Sequence, residues 1–246
     1  MSRFGISARI RTLGLACCAV FFAVHSRASS IEISPVKVDL SARIRVGVLT
    51  VRNAGEEETV MQVSLMRWPT TDALYAFEPT TELLVTPTTF RLAGGAQQIV
   101  RVGLRGAAPL QTEMAYRLVI EEVPALQEQD TTRMRLVVRH DLPVFVAPAA
   151  RALHQVHMEI DCSPGGAGLR VHNSGNSHLK VLRMTLQDPA TGSTQGDWKT
   201  FEYLLPGAEK RWLLSTVAPD AKAMGYTARA YAEQETFSAE VQNQCR

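Results

Sequence analysis

The chain has 246 residues, of which 46% are apolar, 20% charged and 7% aromatic, with 16 Gly and 12 Pro. These proportions belong to a foldable globular protein and exclude a collagenous, coiled-coil or intrinsically disordered one. The formal net charge is +2 at pH 7, and its placement matters more than its size.

Residues 1–11 carry Arg3, Arg9 and Arg11 without an acid, Leu13 to Val24 is an apolar run, and Ser26 and Ala28 supply small residues ahead of a cut after Ala28. This reads as a cleaved signal peptide over residues 1–28. The run is shorter than the ~20 residues a spanning helix needs, and no second one follows, so no membrane insertion is expected. The segment holds four of the 26 Lys and Arg and none of the 24 acids, leaving 218 residues with a net charge of −2. A nucleic-acid role therefore loses its compositional support.

Cys17 and Cys18 leave with the signal, and Cys17 makes a poor lipid-anchor site because apolar residues continue to Val24. Cys162 and Cys245 remain. In an oxidising compartment a disulfide is the expected pairing. It would close a loop of about 80 residues and stabilise the fold by roughly 4 kcal/mol on a chain-entropy estimate. Two distant cysteines with no spaced His pair do not resemble a zinc site, so neither a metal nor a cofactor is expected.

From Ile31 the chain runs in short Val-, Ile-, Leu- and Thr-rich segments separated by Gly, Pro or Asn. Ile31 to Leu40, Arg45 to Arg52, Val60 to Arg67, Leu83 to Thr86, Gln97 to Leu104, Tyr116 to Val123 and Arg133 to Val146 each predict a strand. Seven strands in this span suit an immunoglobulin-type sandwich. After Pro148-Ala149-Ala150-Arg151 a second series follows: Val156 to Ile160, Leu169 to His172, His178 to Leu186, Phe201 to Leu205, Arg211 to Leu214, Tyr226 to Tyr231 and Phe237 to Val241. The division is therefore 29–148 and 149–246, two all-β domains with no evident sequence repeat between them.

Two segments have unusual patterns. In Ile31 to Leu40 the apolar positions are odd before Pro35 and even after it, so the strand should kink at Pro35 and pass from one sheet to the other. In Arg133 to Val146, Met134, Leu136, Val138, Leu142, Val144 and Val146 share one parity, with His140 the exception. This exceeds a common strand length, which suggests that more than its own domain's core uses the row.

Several pieces, in order along the chain, resemble the PapD-like periplasmic chaperones of pilus assembly. They are Ile33-Ser34-Pro35-Val36-Lys37-Val38-Asp39; Val85-Thr86-Pro87 through Phe90-Arg91-Leu92-Ala93-Gly94-Gly95 with Val100-Arg101-Val102; Tyr116 to Pro124; Leu142-Pro143-Val144-Phe145; and His172-Asn173-Ser174-Gly175-Asn176-Ser177-His178. The Leu-Pro-Val-Phe pattern suggests a divergent branch. The resemblance implies two immunoglobulin-like β-sandwich domains arranged in an L with a cleft between them. It also implies donor-strand complementation, in which the chaperone lends a strand to a pilus subunit's apolar groove. The lending positions carried over are Met134, Leu136, Val138 and His140. The family's first basic anchor for the subunit's terminal carboxylate falls on Lys37, and the second falls on Pro143, which has no charge. Arg117 and Arg139 are the candidates to replace it. Glu121 stands where many members carry Arg, and Ala147 replaces a basic residue near the interdomain corner.

Without the resemblance, these residues have ordinary readings. Lys37 is a solvated strand lysine, the apolar row is a core face, and His140 is a satisfied or exposed histidine rather than a pH sensor. His154 and His157 point to opposite faces of a strand and make a poor metal pair. The expected partners are pilus or fimbrial subunits and an outer-membrane usher, in the periplasm, with self-association of the free protein through its exposed strands. A secreted pilus or coat subunit is the structural alternative, although such a subunit is usually one incomplete domain. A periplasmic hydrolase lacks support, with no Gly-x-Ser-x-Gly, His-Glu-x-x-His or phosphate loop in the chain.

Overall fold

The computed structural model describes residues 31–70, 77–124, 137–163, 166–214 and 225–242, with side chains omitted at 162 and 163. The signal segment, Met134, Leu136 and Cys245 lie outside these residues, and so does the expected Cys162–Cys245 pairing. Every regular element described is a strand.

The alternating burial of Val46–Asn53 (β3) shows why these segments are strands: Leu49 and Val51 are buried, while Val46 and Val48 face solvent. The first domain has two sheets. One is ordered β1-β3-β8-β6, from Ile31–Ser34 (β1), β3, Gln97–Leu104 (β8) and Leu83–Thr86 (β6). The other is ordered β2-β10-β9-β4-β5, from Val38–Leu40 (β2), Arg139–Val146 (β10), Met114–Val123 (β9), Thr59–Arg67 (β4) and Glu78–Pro79 (β5), with Thr89–Leu92 (β7) also on β4. Val38, Leu40, Leu49, Val51, Met61, Val63, Leu118, Ile120, Val144 and Val146 fill the space between them.

The change of face at Pro35 has the predicted outcome. β1 pairs antiparallel with β3 in one sheet and β2 pairs parallel with β10 in the other, with the break at Pro35 between them. The predicted strand from Arg133 is shorter where it is described, because β10 begins at Arg139. The ladder reaches one position further, where the Glu122 amide donates to the Val138 carbonyl at 3.2 Å. β5 and β7 were not predicted, being too short to show a period.

The second domain packs the sheet β11-β12-β15, from Val156–Ser163 (β11), Gly166–Asn173 (β12) and Glu209–Leu213 (β15), against β14-β13-β16-β17. The latter strands are Thr194–Leu204 (β14), Leu179–Gln187 (β13), Tyr226–Ala232 (β16) and Thr236–Val241 (β17).

A repeat absent from the sequence reading emerges from the hydrogen bonds. Asn53, buried at the end of β3, donates its side-chain amide to the Glu57 and Leu92 carbonyls and accepts from the Gly55 amide. Asn173, buried at the end of β12, donates to Ser177 and Leu204 and accepts from Gly175. Each asparagine's backbone is met by a second turn, through Gly95-Ala96 for Asn53 and Gly207-Ala208 for Asn173. Gly95 and Gly207 sit at φ 74° and 76°, a conformation that favours glycine. The shared pattern is Asn-x-Gly followed later by Leu-x-x-Gly-Ala, too sparse to stand out in a single sequence.

Asn173→Ala should strip two buried carbonyls of their donor and destabilise the protein by roughly 1–3 kcal/mol, read as a lower urea midpoint with an unchanged slope. Asn53→Ala should cost a similar amount, because its two donated bonds have the same geometry.

Candidate functional site

The distinctive feature of the first domain is an edge left half open. β10 pairs with β9 along the whole of its length, from Arg139↔Glu121 to Val146↔Met114. On the other side β2 covers only Val144, Phe145 and Val146. Among the described residues, Arg139 to Pro143 therefore have no strand on that side. A row of unpaired backbone donors and acceptors is a template for another strand. Pro143 fits such a place, because proline lacks the N–H that a central strand would need.

The register sets what stands at the base of this open edge. Val38 pairs with Val144, which pairs with Tyr116. One residue earlier on β10, and one later on antiparallel β9, Pro143 pairs with Arg117, and Lys37 stands one residue ahead of β2. Side chains of one row share a face, here the face opposite the buried Val38, Val144 and Tyr116. Lys37 reaches Asp39 at 3.1 Å. Partial burial works against its charge, but the Asp39 hydrogen bond and the charges of Asp39 and Glu233 outweigh it and hold the ammonium above its ordinary pKa.

Arg117 lies flat on Trp68, with its guanidinium carbon 3.6 Å from the ring centroid. Its Nη1 approaches the Asp141 carbonyl at 3.5 Å, and its Nε is enclosed without a partner among the described residues. Burial pulls its pKa down, opposed by Asp141 and Tyr203, and a guanidinium still stays protonated at any ordinary pH. Arg139 is tied to Asp141 at 3.3 Å and stands 4.0 Å from Glu121, directly across the ladder. The acid at 121 thus has a local use.

Glu233 and Tyr203 belong to the second domain, so the row faces the domain junction. An aromatic group fills that junction. Phe145 stacks on His178 with centroids 3.6 Å apart and planes at 10°. Tyr203 lies 5.4 Å from Phe145, 5.6 Å from His178 and edge-on to Trp68 at 5.8 Å. Phe145 and Ala115 leave their own domain's core to join that of the second.

Around the aromatics, Glu113 Oε1 accepts from the His178 amide at 3.1 Å and from its Nδ1 at 2.8 Å. The Glu113 amide donates to the Asn176 carbonyl. Asn176 in turn donates to the Gln111 and Arg151 carbonyls and accepts from the Leu153 amide. Gly175 passes so near the Leu153 carbonyl that a Cβ would stand 2.2 Å from it. The junction is thus held by the Asn-Ser-Gly-Asn-Ser-His turn and Glu113, a partner that sequence reasoning did not single out and whose only signal was its position just ahead of β9.

Of the row expected to be lent, Val138 and His140 are half-buried, and His140 Nε2 is enclosed with no hydrogen-bond partner among the described residues. Val137 is exposed on the opposite parity. His154 and His157 go to different acids, Glu235 and Glu159.

Glu113→Ala should leave the His178 amide and ring without an acceptor and cost roughly 1–3 kcal/mol of stability. It should also broaden the distribution of interdomain distances measured by spin labels on the two domains. Glu113→Gln, which keeps an acceptor oxygen, should recover most of both.

The fold resembles several solved structures. One is the complex of the chaperone CsuC with the tip adhesion subunit CsuE, from the archaic chaperone-usher Csu pili of Acinetobacter baumannii. It has a TM-score of 0.63 and 15% identity, covering 87% of this chain and 99% of that one. Another is the SafB chaperone with SafA pilin from Salmonella enterica, with a TM-score of 0.62 and 18% identity over 87% and 98%. The fimbrial chaperone YhcA of Escherichia coli K12 is 26% identical over 186 residues, 74% of this chain and 77% of that protein. Residues 30–152, which hold the open edge and the Lys37–Pro143–Arg117 row, match the pili and flagellar-assembly chaperone family through its PapD N-terminal domain, and the chain belongs to that family.

Proposed function

We propose that this protein is a periplasmic chaperone that captures, folds and caps pilus or fimbrial subunits by donor-strand complementation and delivers them to an outer-membrane usher. It acts by binding and has no catalytic step. The carrying observation is the open side of β10 from Arg139 to Pro143, in line with the sequence row Met134, Leu136 and Val138. A subunit lacking a strand has both an apolar groove and an unpaired edge. One added strand corrects both, and each Leu or Val side chain buried contributes roughly 1.5–3 kcal/mol.

A subunit strand laid along the open edge would meet Lys37 where β2 begins. There its terminal carboxylate can take a charge-assisted hydrogen bond worth roughly 1.5–3 kcal/mol. We assign the second anchor to Arg117 rather than Arg139. Arg117 stands across from Pro143 and faces the second domain, whereas Arg139 is held by Asp141 and Glu121. The domains divide near Ala149, in an L whose cleft contains this row, with residues 1–28 directing export and Cys162 paired with Cys245.

Leu136→Arg should leave the protein folded and exported but abolish co-purification of a one-to-one subunit complex from the host periplasm, because a charge would have to enter an apolar groove. Lys37→Ala and Arg117→Ala should each weaken that complex by about tenfold or more, which corresponds to the loss of one charge-assisted bond. Normal capture by all three variants would overturn the mechanism. Because the folded Lys37 pKa lies above its ordinary value, its charge persists through neutral and mildly alkaline pH. Capture should therefore be flat from about pH 6 to about pH 9 and weaken only as the subunit carboxylate protonates below about pH 4.

A further inference from the structure

Both cations of the row belong to the first domain, yet one side chain of the second domain is wedged between their supports. Tyr203 packs at 5.4 Å on Phe145, the register partner of Asp39, and Asp39 holds Lys37. On its other flank Tyr203 meets Trp68, the ring on which Arg117 lies. It therefore stands against the supports of both cation sites. Its ring is fixed from three sides by Trp68, Phe145 and His178, while no described residue hydrogen-bonds its hydroxyl. A half-buried phenol with a held ring and an unused O–H is a donor set in advance for an acceptor that is not part of the chain.

We propose that the Tyr203 hydroxyl is the second domain's own ligand for the subunit's terminal carboxylate, donating a hydrogen bond to the oxygen that Lys37 and Arg117 hold from the first domain. This rests on the carboxylate-anchoring reading given above and extends it: the pocket is complete only when both domains are in place. The phenol adds a directed hydrogen bond to those of the two cations without adding charge. It also gives the Glu113–His178 junction a task, since that junction sets where Tyr203 stands relative to Lys37.

The test uses the full-length mature chain and a fluorescein-labelled strand peptide of alternating valine and threonine, made with a free terminal carboxylate and as the terminal amide. The wild type should prefer the acid over the amide by roughly tenfold or more, as expected for charge-assisted bonds. Tyr203→Phe keeps the ring and its packing, and should weaken binding of the acid about three- to tenfold and of the amide by less, because a carboxamide oxygen accepts the same hydrogen bond more weakly than a carboxylate does. Lys37→Ala should reduce the same preference. If Tyr203→Phe keeps the full preference while Lys37→Ala loses it, the inference fails and the anchor stands. Binding of the acid as tight as the wild type's in Tyr203→Phe also overturns the inference. A wild type without any preference for the acid removes the anchor and the inference with it.

Discussion

The first domain's capacity to accept another strand follows from the shortness of β2, and that shortness follows from Pro35. The chain spends Ile31–Ser34 pairing with β3 in one sheet, breaks at the proline, and has only Val38–Leu40 left to pair with β10 in the other. Three residues cannot cover eight, so the amino-terminal half of β10 keeps a bare edge. The same break sets Lys37 one residue ahead of β2, level with Pro143. In the proposed complex an incoming strand would end beside Lys37, so its register and its charge partner would both follow from one local event.

Long open edges invite aggregation, and natural sheets usually blunt them. Here Arg139 and Asp141 put charges along the open stretch and Pro143 removes a donor from it. These residues make casual pairing less favourable, while in the proposed mechanism the apolar row of the sequence upstream would favour a partner with a matching groove. Selectivity of this kind comes from a difference between partners rather than from raw affinity.

The junction between domains is chemically distinct from the row it faces. Phe145 and Ala115 are strand residues of the first domain whose side chains are counted in the second domain's core, and the Phe145–His178 stack links the two bodies directly. Glu113 adds directional bonds to this apolar contact, and Asn176 ties the turn of the second domain to backbone groups on both sides of the connection. A purely apolar contact could slide, whereas these bonds have defined partners and fix an orientation. The Asn-x-Gly turn that makes this possible occurs once in each domain, yet only the second copy, Asn173 to His178, is extended by side chains that reach across.

The sequence by itself determined the all-β class, most strand positions and the change of sheets at Pro35, because each depends on local alternation or on the backbone chemistry of a single residue. The family resemblance was also legible, carried by short pieces in a constant order. Only the tertiary structure decided that Arg117 stands opposite Pro143, since the two are far apart in sequence and meet through the pairing of β9 with β10. The same holds for Glu113 with His178, for Tyr203 between the cation sites, and for the Asn53 and Asn173 devices, whose second halves lie 31 or more residues downstream. Periodicity reports which way a side chain faces within its own strand; which residue it meets is set by register and by the packing of one domain on another.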